Sequence, residues 1–323
     1  MYSKQQAINQ MNEWGGQQKP FLFIIDFELE KPQLYALDQV PDHIRFDING
    51  AKNTPYPTLE KKPFTFEPNP IAFSSYQKAF DKVVSELNYG NSYLLNLTFP
   101  TPLKTNLNLE TIFNKSKAPY KLLVDSQFVV FSPESFVKID NGIISSYPMK
   151  GTIDASIPNA KTLLLNNPKE IAEHATIVDL IRNDLSKVAT QVKVSNYRYI
   201  EEVKTFKKTL LQASSKIEGV LPLNYKEYLG NILFSLLPAG SISGAPKKKT
   251  LDIIKNIESQ ERGYFTGIFG IFNGQNLDSG VLIRFIEDQN KKLVFRSGGG
   301  ITAQSNTKAE YQELIDKIYV PFI

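Results

Sequence analysis

The chain has 323 residues, of which 41% are hydrophobic and 22% charged, and these proportions are typical of a folded globular protein. It has no cysteine and only two histidines, which excludes disulfides, thiolate metal sites, a cysteine nucleophile and a histidine-rich metal centre. The net charge of +4 is not arranged in a long basic stripe, so we expect no nucleic-acid partner.

The N-terminal region shows no targeting signal. It has no basic segment followed by an apolar stretch, and no run of about 18 apolar residues occurs in the chain. We therefore expect a cytoplasmic protein without a membrane segment.

The first 70 residues differ in pattern from the rest. A short amphipathic helix is predicted before an apolar run at 21–27, which is typical of a strand. Five prolines between residues 55 and 70 exclude a regular helix or a central strand there. We predict that residues 1–70 form a short segment that packs on a core of residues 71–323, with 55–70 as the connection.

Helices and groups of strands alternate through the core. Apolar residues recur every three or four positions from Phe73 to Leu87, which predicts a helix before a strand at 93–99. Strands follow between 121 and 147, and a long amphipathic helix is predicted from Pro168, since proline suits the first helical turn.

The last third of the chain continues this pattern. The predicted elements are strands around 208–218, helices near 224–236 and 247–258, three strands between 265 and 297, and a helix from about 307. Strands that come in consecutive groups favour an α+β protein with antiparallel or mixed sheets over strict βαβ alternation.

Two glycine-rich segments are candidates for binding an anion. Residues 239–247 (A-G-S-I-S-G-A-P-K) lead into a predicted helix, whose N-terminus offers free backbone N–H groups. Residues 297–301 (S-G-G-G-I) follow a strand and would let a ligand approach the backbone closely. Each segment is also compatible with an ordinary turn.

Two predicted helices carry closely spaced carboxylates. Glu170 and Glu173 are three residues apart, and Glu310, Glu313 and Lys317 also share roughly one helical face. If the two helices face each other, their oxygens would suit Mg²⁺, which takes oxygen ligands. A solvated surface is the alternative explanation of either group alone.

Seven segments occur in the order seen in chorismate-utilizing enzymes. They are 131–134 (F-S-P-E), 148–152 (P-M-K-G-T), 173–184 (E-H-A-T-I-V-D-L-I-R-N-D), 240–247 (G-S-I-S-G-A-P-K), 262–267 (R-G-Y-F-T-G), 283–284 (I-R) and 297–301 (S-G-G-G-I). Over roughly residues 70–320, the chain resembles this family, which includes anthranilate, aminodeoxychorismate, isochorismate and salicylate synthases.

The resemblance implies a fold and a ligand. The fold would be α+β, a single large domain with two orthogonally packed, largely antiparallel β-sheets flanked by helices. The active site would lie in a cleft between the sheets, and its substrate would be chorismate, a dicarboxylate.

The resemblance also implies roles for individual residues. Glu173 and Glu313 would coordinate Mg²⁺ with assistance from Glu310. The implied substrate-binding residues are Tyr264, Arg284, Gly298, Lys317, Ser241 and Thr152.

Lys150 in the P-M-K-G-T segment indicates which reaction to expect. Aminodeoxychorismate synthases resemble this chain in having lysine there, whereas anthranilate synthases usually have alanine. The lysine would attack C2 of chorismate while the C4 hydroxyl departs, Glu134 would protonate that hydroxyl, and ammonia would then add at C4 and expel the lysine. Without its motif, Lys150 would be interpreted as a surface lysine at a strand end.

Three further features bear on the alternatives. Leu94 stands where water-adding relatives have a lysine base, which disfavours isochorismate and salicylate synthesis. Gln212 replaces a histidine that is usual in the family, and Ser241 replaces a threonine. Anthranilate synthase component I and a non-catalytic chorismate-binding subunit remain as alternatives.

The nitrogen source follows from composition and resemblance together. Glutamine hydrolysis by class I amidotransferases needs a cysteine, and the chain has none. The resemblance therefore implies a separate glutaminase subunit as a partner.

Overall fold

The computed structural model describes residues 2–55, 63–204, 209–258 and 260–322. The α-helices are α1 (Lys4–Gly16), α2 (Phe73–Asn88), α3 (Leu109–Lys115), α4 (Ala160–Asn166), α5 (Pro168–Leu185), α6 (Leu229–Leu236), α7 (Gly240–Ser243), α8 (Lys247–Ile257) and α9 (Thr307–Asp316). Residues 56–62 of the proline-rich connection lie outside the described residues.

The strands occupy most of the chain between these helices. They are β1 (Phe21–Ile25), β2 (Gln33–Ala36), β3 (Ile44–Ile48), β4 (Ala51–Lys52), β5 (Phe66–Pro68), β6 (Leu94–Thr105), β7 (Tyr120–Val124), β8 (Phe128–Ser132), β9 (Ser135–Asp140), β10 (Ile143–Ser146), β11 (Met149–Asp154), β12 (Thr190–Lys204), β13 (Thr209–Val220), β14 (Gly244–Ala245), β15 (Ile268–Phe272), β16 (Leu277–Val281), β17 (Phe285–Gln289) and β18 (Lys292–Ile301).

The strands form two antiparallel sheets in a single domain. In the first sheet the order is β11-β13-β10-β9-β16-β15-β1-β2, and β12 pairs with β13. In the second the order is β14-β6-β18-β17-β8-β7-β3-β4, and β5 pairs with β6. The predicted α+β class with two largely antiparallel sheets is therefore confirmed.

The N-terminal region contributes strands to both sheets. Strand β1 lies between β15 and β2 in the first sheet, with Phe23 opposite Gly270. Strand β3 pairs with β7 in the second sheet. The first 52 residues thus complete the sheets rather than only covering them, while the division at residue 70 stays a prediction.

The helices predicted from apolar periodicity lie close to their expected positions. Helix α2 buries Tyr76, Phe80, Val83 and Leu87 on one face. Burying such a side chain contributes about 1.5–3 kcal/mol relative to leaving it exposed. The face belongs to the main hydrophobic core, which also includes residues of the first sheet.

Two details of the strand prediction were wrong. Strand β12 was not anticipated, and four strands, β15 to β18, occupy the region where three were expected. Strand β12 pairs only with β13 and is mostly exposed, so its sequence has no apolar run that would mark a strand. Among the described residues, no helix has both the length and the apolar composition needed to cross a membrane.

Candidate active site

Two carboxylates of α9 lie beside Gly299 of β18. A Cβ added to Gly299 would be 3.6 Å from Glu313 Oε1 and 3.7 Å from both Glu310 Oε2 and Lys317 Nζ. A larger residue at this position would therefore fill the space between these groups. The structure thus brings the S-G-G-G-I segment and the α9 carboxylates together.

Glu173 joins the α9 carboxylates through a lysine that the sequence analysis did not single out. Lys169 Nζ lies 3.6 Å from Glu173 Oε1 and 3.4 Å from Glu310 Oε1, and Glu310 Oε1 also accepts a hydrogen bond from Ser305 Oγ at 2.8 Å. Burial alone would lower the pKa of Lys169, but the charges of Glu310 and Glu173 outweigh it and raise that pKa.

These residues have the chemistry of a site for a hard cation. Within the described ranges, no group of three or more His, Cys, Asp or Glu side chains is close enough to hold a metal ion as they stand. The donors are nevertheless all carboxylate oxygens. One cation, the Lys169 ammonium, already lies between Glu173 and Glu310. Oxygen donors of this kind are the ones that Mg²⁺ prefers, and the bound metal stays a prediction.

Lys317 connects α9 to the glycine segment. Its Nζ lies 2.6 Å from Glu313 Oε1 and donates to the carbonyl of Gly298 at 2.9 Å. Burial lowers the pKa of Lys317. Burial would raise the pKa of Glu313, but the charge and hydrogen bond of Lys317, together with the charges of Lys150 and Lys169, outweigh it and hold that pKa below its usual range.

Lys150 projects from β11 toward the same cluster. Its Nζ lies 3.9 Å from Glu173 Oε2, on the other side of that carboxylate from Lys169. A Cβ added to Gly300 would be 3.4 Å from Lys150 Nζ and 3.1 Å from Leu94 Cδ1. The amine and the leucine side chain therefore meet at one glycine.

The glycine that follows Lys150 is needed for two reasons. Gly151 has φ of 83°, a left-handed conformation that other residues rarely adopt. A Cβ there would also be 2.9 Å from Glu170 Oε2, so a side chain would collide with that carboxylate. Burial, together with the neighbouring charge of Glu173, raises the pKa of Glu170.

Glu134 and Ser241 form a pair next to this cluster. Ser241 Oγ, in the short helix α7, donates to Glu134 Oε1 at 2.7 Å. Burial raises the pKa of Glu134, although the Ser241 hydrogen bond and the charges of Lys150 and Arg284 act against it. A hollow of about 20 Å³ beside the pair is large enough for one water molecule.

Two buried ion pairs hold the α7 loop in place. Arg262 pairs with Glu258 at 2.7 Å and donates to the carbonyls of Ile242 in α7, at 2.9 Å, and Asn96 in β6, at 2.7 Å. Lys247, the last residue of the 239–247 segment, has its Nζ 2.7 Å from Asp184 Oδ2 of α5. Both basic residues belong to the family-like segments, and their contacts here are structural.

Arg284 has an unusual environment for a guanidinium group. Its Nε is buried and has no hydrogen-bond partner among the described residues, and the guanidinium lies 5.3 Å from the ring centre of Tyr319. A buried donor without a partner is costly, so an anionic oxygen bound there would be stabilised. This environment is compatible with the expected anchoring of a carboxylate.

Tyr264 and Thr152 lie in other surroundings. The Tyr264 hydroxyl donates to the Lys31 carbonyl at 2.7 Å and accepts from Gln33 Nε2 at 2.6 Å, so it contacts the N-terminal region. Thr152 is exposed on β11, opposite Gln212 of β13. Their predicted roles in substrate binding remain predictions.

Comparison with known proteins identifies the family. Residues 4–322 match the family described as chorismate binding enzyme. The chain belongs to the chorismate-binding enzyme family. Its motifs and its carboxylate cluster therefore lie in a protein of a chorismate-binding family.

Individual members of the family differ in how much is known about them. An uncharacterized PabA-like protein of Haemophilus influenzae is 53% identical over 320 residues, which are 98% of this chain and 97% of that protein. Aminodeoxychorismate synthase component 1 of Salmonella typhimurium is 31% identical over 75% of this chain and 56% of its own length. Anthranilate synthase component 1 of Saccharolobus solfataricus is 32% identical over 67% of this chain and 52% of its own length.

A solved structure shows the same fold. Menaquinone-specific isochorismate synthase MenF from Escherichia coli aligns with a TM-score of 0.71 at 15% identity, over 98% of this chain and 81% of that chain. Because identity is this low, the likeness supports the fold alone.

Proposed function

We propose that this chain is component I of aminodeoxychorismate synthase, which converts chorismate and ammonia to 4-amino-4-deoxychorismate for para-aminobenzoate and folate biosynthesis. The observation that carries the proposal is the position of Lys150, whose amine lies 3.9 Å from Glu173 and beside Gly300. If the ring carboxylate of chorismate is bound near Glu173, the Lys150 amine can reach the ring.

Lys150 acts as the nucleophile in the proposed mechanism. Its neutral amine forms a bond to C2 of chorismate, the two ring double bonds shift, and the C4 hydroxyl leaves as water after gaining a proton. Ammonia then bonds to C4, the double bonds shift back, and the Lys150 nitrogen leaves C2. The net change is the replacement of the hydroxyl by an amino group and the release of one water.

Glu134 supplies the proton to the leaving hydroxyl. Its raised pKa favours the neutral carboxyl, which is the form that can act as a general acid. Because Ser241 donates to Oε1, the acidic proton is carried by Oε2 and remains available to the substrate. Turnover would fall as pH rises through the elevated pKa of Glu134, since the carboxyl then loses this proton.

The two substrate carboxylates are held by cations. Mg²⁺, held by Glu173, Glu310 and Glu313, would neutralise the ring carboxylate. Lys317, next to Gly298, and Arg284, through its unpartnered Nε, would bind carboxylate oxygens.

Leu94 argues against addition of water in place of ammonia. Its side chain is buried and lies beside the same glycine as the Lys150 amine. Leucine has no group that can take a proton from water. Isochorismate or salicylate synthesis is therefore not supported.

Product analysis tests the proposed reaction. Incubation of the chain with chorismate, Mg²⁺ and ammonium should give 4-amino-4-deoxychorismate and no pyruvate, separated by liquid chromatography and identified by mass. Anthranilate with an equal amount of pyruvate would support the alternative of anthranilate synthase component I. Unchanged chorismate, in a preparation that binds chorismate, would support the non-catalytic alternative.

The nitrogen source gives a second prediction, about the partner. The chain alone should turn over with high ammonium and show no activity with glutamine, because it has no cysteine to attack the amide. Addition of a class I glutaminase subunit from the same organism should restore the use of glutamine. Glutamine-dependent turnover by the chain alone, after removal of any contaminating amidotransferase, would contradict the prediction.

A further inference from the structure

Lys169 stands at a position in α5 where a positive charge is unfavourable. It is the second residue of the helix, and its backbone N–H donates to the capping side chain of Asn167 at 3.0 Å. The N-terminus of a helix carries a partial positive charge, so a lysine there is repelled by the helix dipole. At Lys169 a contact with carboxylates offsets this repulsion.

That contact is a bridge between the two helices that carry the carboxylates. The Lys169 ammonium reaches from α5 to Glu310 of α9, 141 residues away in the sequence, and also contacts Glu173 of its own helix. The side chains of Glu310 and Glu173 are only 3% and 13% exposed, whereas that of Lys169 is 47% exposed. The carboxylates are thus fixed in the protein, and the ammonium has a direct path to solvent.

We propose that Lys169 is a built-in counter-ion that holds Glu173 and Glu310 together in the metal-free protein and is displaced into solvent when Mg²⁺ binds. The inference rests on the magnesium site of the proposed function. Binding of Mg²⁺ is then an exchange of one cation for another. Lys169 keeps the buried carboxylates paired in the metal-free protein, and the need to displace it weakens the affinity for Mg²⁺. Lys150, on the other oxygen of Glu173, is less exposed and remains in place.

The chain contains a closely matched control for Lys169. Lys308 is likewise the second residue of its helix, α9, and its backbone N–H donates to the capping side chain of Asn306 at 3.1 Å. Lys308 is exposed and lies in the same turn as Glu310. Its replacement therefore removes the same charge from the same helical position without touching the bridge.

The experiment measures Mg²⁺ binding without chorismate by isothermal titration calorimetry at constant ionic strength. We expect Lys169→Met to bind Mg²⁺ about fivefold more tightly than the wild type, a change of the size that a partly exposed ion pair contributes. Lys308→Met and Lys169→Arg should bind it as the wild type does. In EDTA, the thermal midpoint of Lys169→Met should be lower than that of Lys308→Met, and Mg²⁺ should raise it further than it raises the wild type.

The outcomes separate this inference from the metal assignment. Equal or weaker Mg²⁺ binding by Lys169→Met, while the wild type binds, would overturn the role of Lys169 and leave the metal site standing. No Mg²⁺ binding by any of the proteins would overturn both. If Lys169→Met does not fold, Lys169→Gln, which keeps the side-chain polarity without the charge, replaces it with the same expected result.

Discussion

Lys150→Ala is expected to form no covalent adduct with chorismate and to lose at least about a thousandfold in turnover, as removal of a catalytic nucleophile does elsewhere. The wild type, incubated with chorismate and Mg²⁺ in the absence of ammonia, should gain the mass of chorismate less one water. Intact-protein mass spectrometry measures the adduct, and peptide mapping should place it on Lys150.

The same experiment needs a variant that keeps the positive charge. Lys150→Arg retains a cation at the position 3.9 Å from the Glu173 carboxylate, but the guanidinium is a very weak nucleophile. It should therefore fold and bind Mg²⁺ normally and still form no adduct. An adduct on Lys317 or Lys169, or substantial turnover by Lys150→Ala, would contradict the assignment of the nucleophile.

Local patterns in the sequence were sufficient to predict several elements of this fold. Helices α2, α5 and α9 each have apolar residues at helical spacing, and α5 and α9 also begin at an asparagine cap. Such signals depend on neighbouring residues only. Strand β12 lacks them because it is a largely exposed edge strand that pairs with β13.

The arrangement of the sheets required contacts between distant parts of the chain. Strand β1 was predicted as a strand, but nothing near it in the sequence indicates that it also pairs with β15. For the same reason the N-terminal segment was expected to pack on the core, although its strands pair within both sheets. Pairing across such distances is determined by how the whole set of apolar faces packs.

For the candidate site, too, local patterns could be predicted from the sequence but contacts between distant residues could not. The carboxylate spacing on α5 and α9 is a local pattern, and the family resemblance implied that the two groups share one metal ion. The lysine that bridges them was missed because Lys169 lies outside the seven family-like segments and its partner Glu310 is 141 residues away. The buried pair Arg262–Glu258 was missed too, since a short i,i+4 pair in sequence does not reveal that it supports α7 and β6.

Glu313→Gln is expected to abolish Mg²⁺-dependent turnover while the protein remains folded. Glutamine keeps the shape of the side chain and an oxygen that can accept from Lys317, whose Nζ lies 2.6 Å from Glu313 Oε1. It removes the negative charge that a hard cation requires. Because replacing a partner outside the metal's own ligands already costs 10–100-fold, loss of a ligand charge should cost on the order of a hundredfold or more.

Asp316→Asn is the matched control, because it removes one negative charge from the same helix at an exposed position, where Asp316 accepts from Gln312 and not from Lys317. Turnover should be measured for both variants and the wild type over a range of MgCl₂ concentrations, with thermal melting by circular dichroism to check the fold. The turnover of Asp316→Asn should equal that of the wild type. Excess EDTA should abolish the turnover of the wild type. Full activity of the wild type in EDTA, or equal losses of activity in the two variants, would contradict the assignment of Glu313 as a metal ligand.

Glu173→Gln provides an independent check, because Glu173 lies on α5 and contacts Lys169. A loss of activity like that of Glu313→Gln would show that both helices hold the ion.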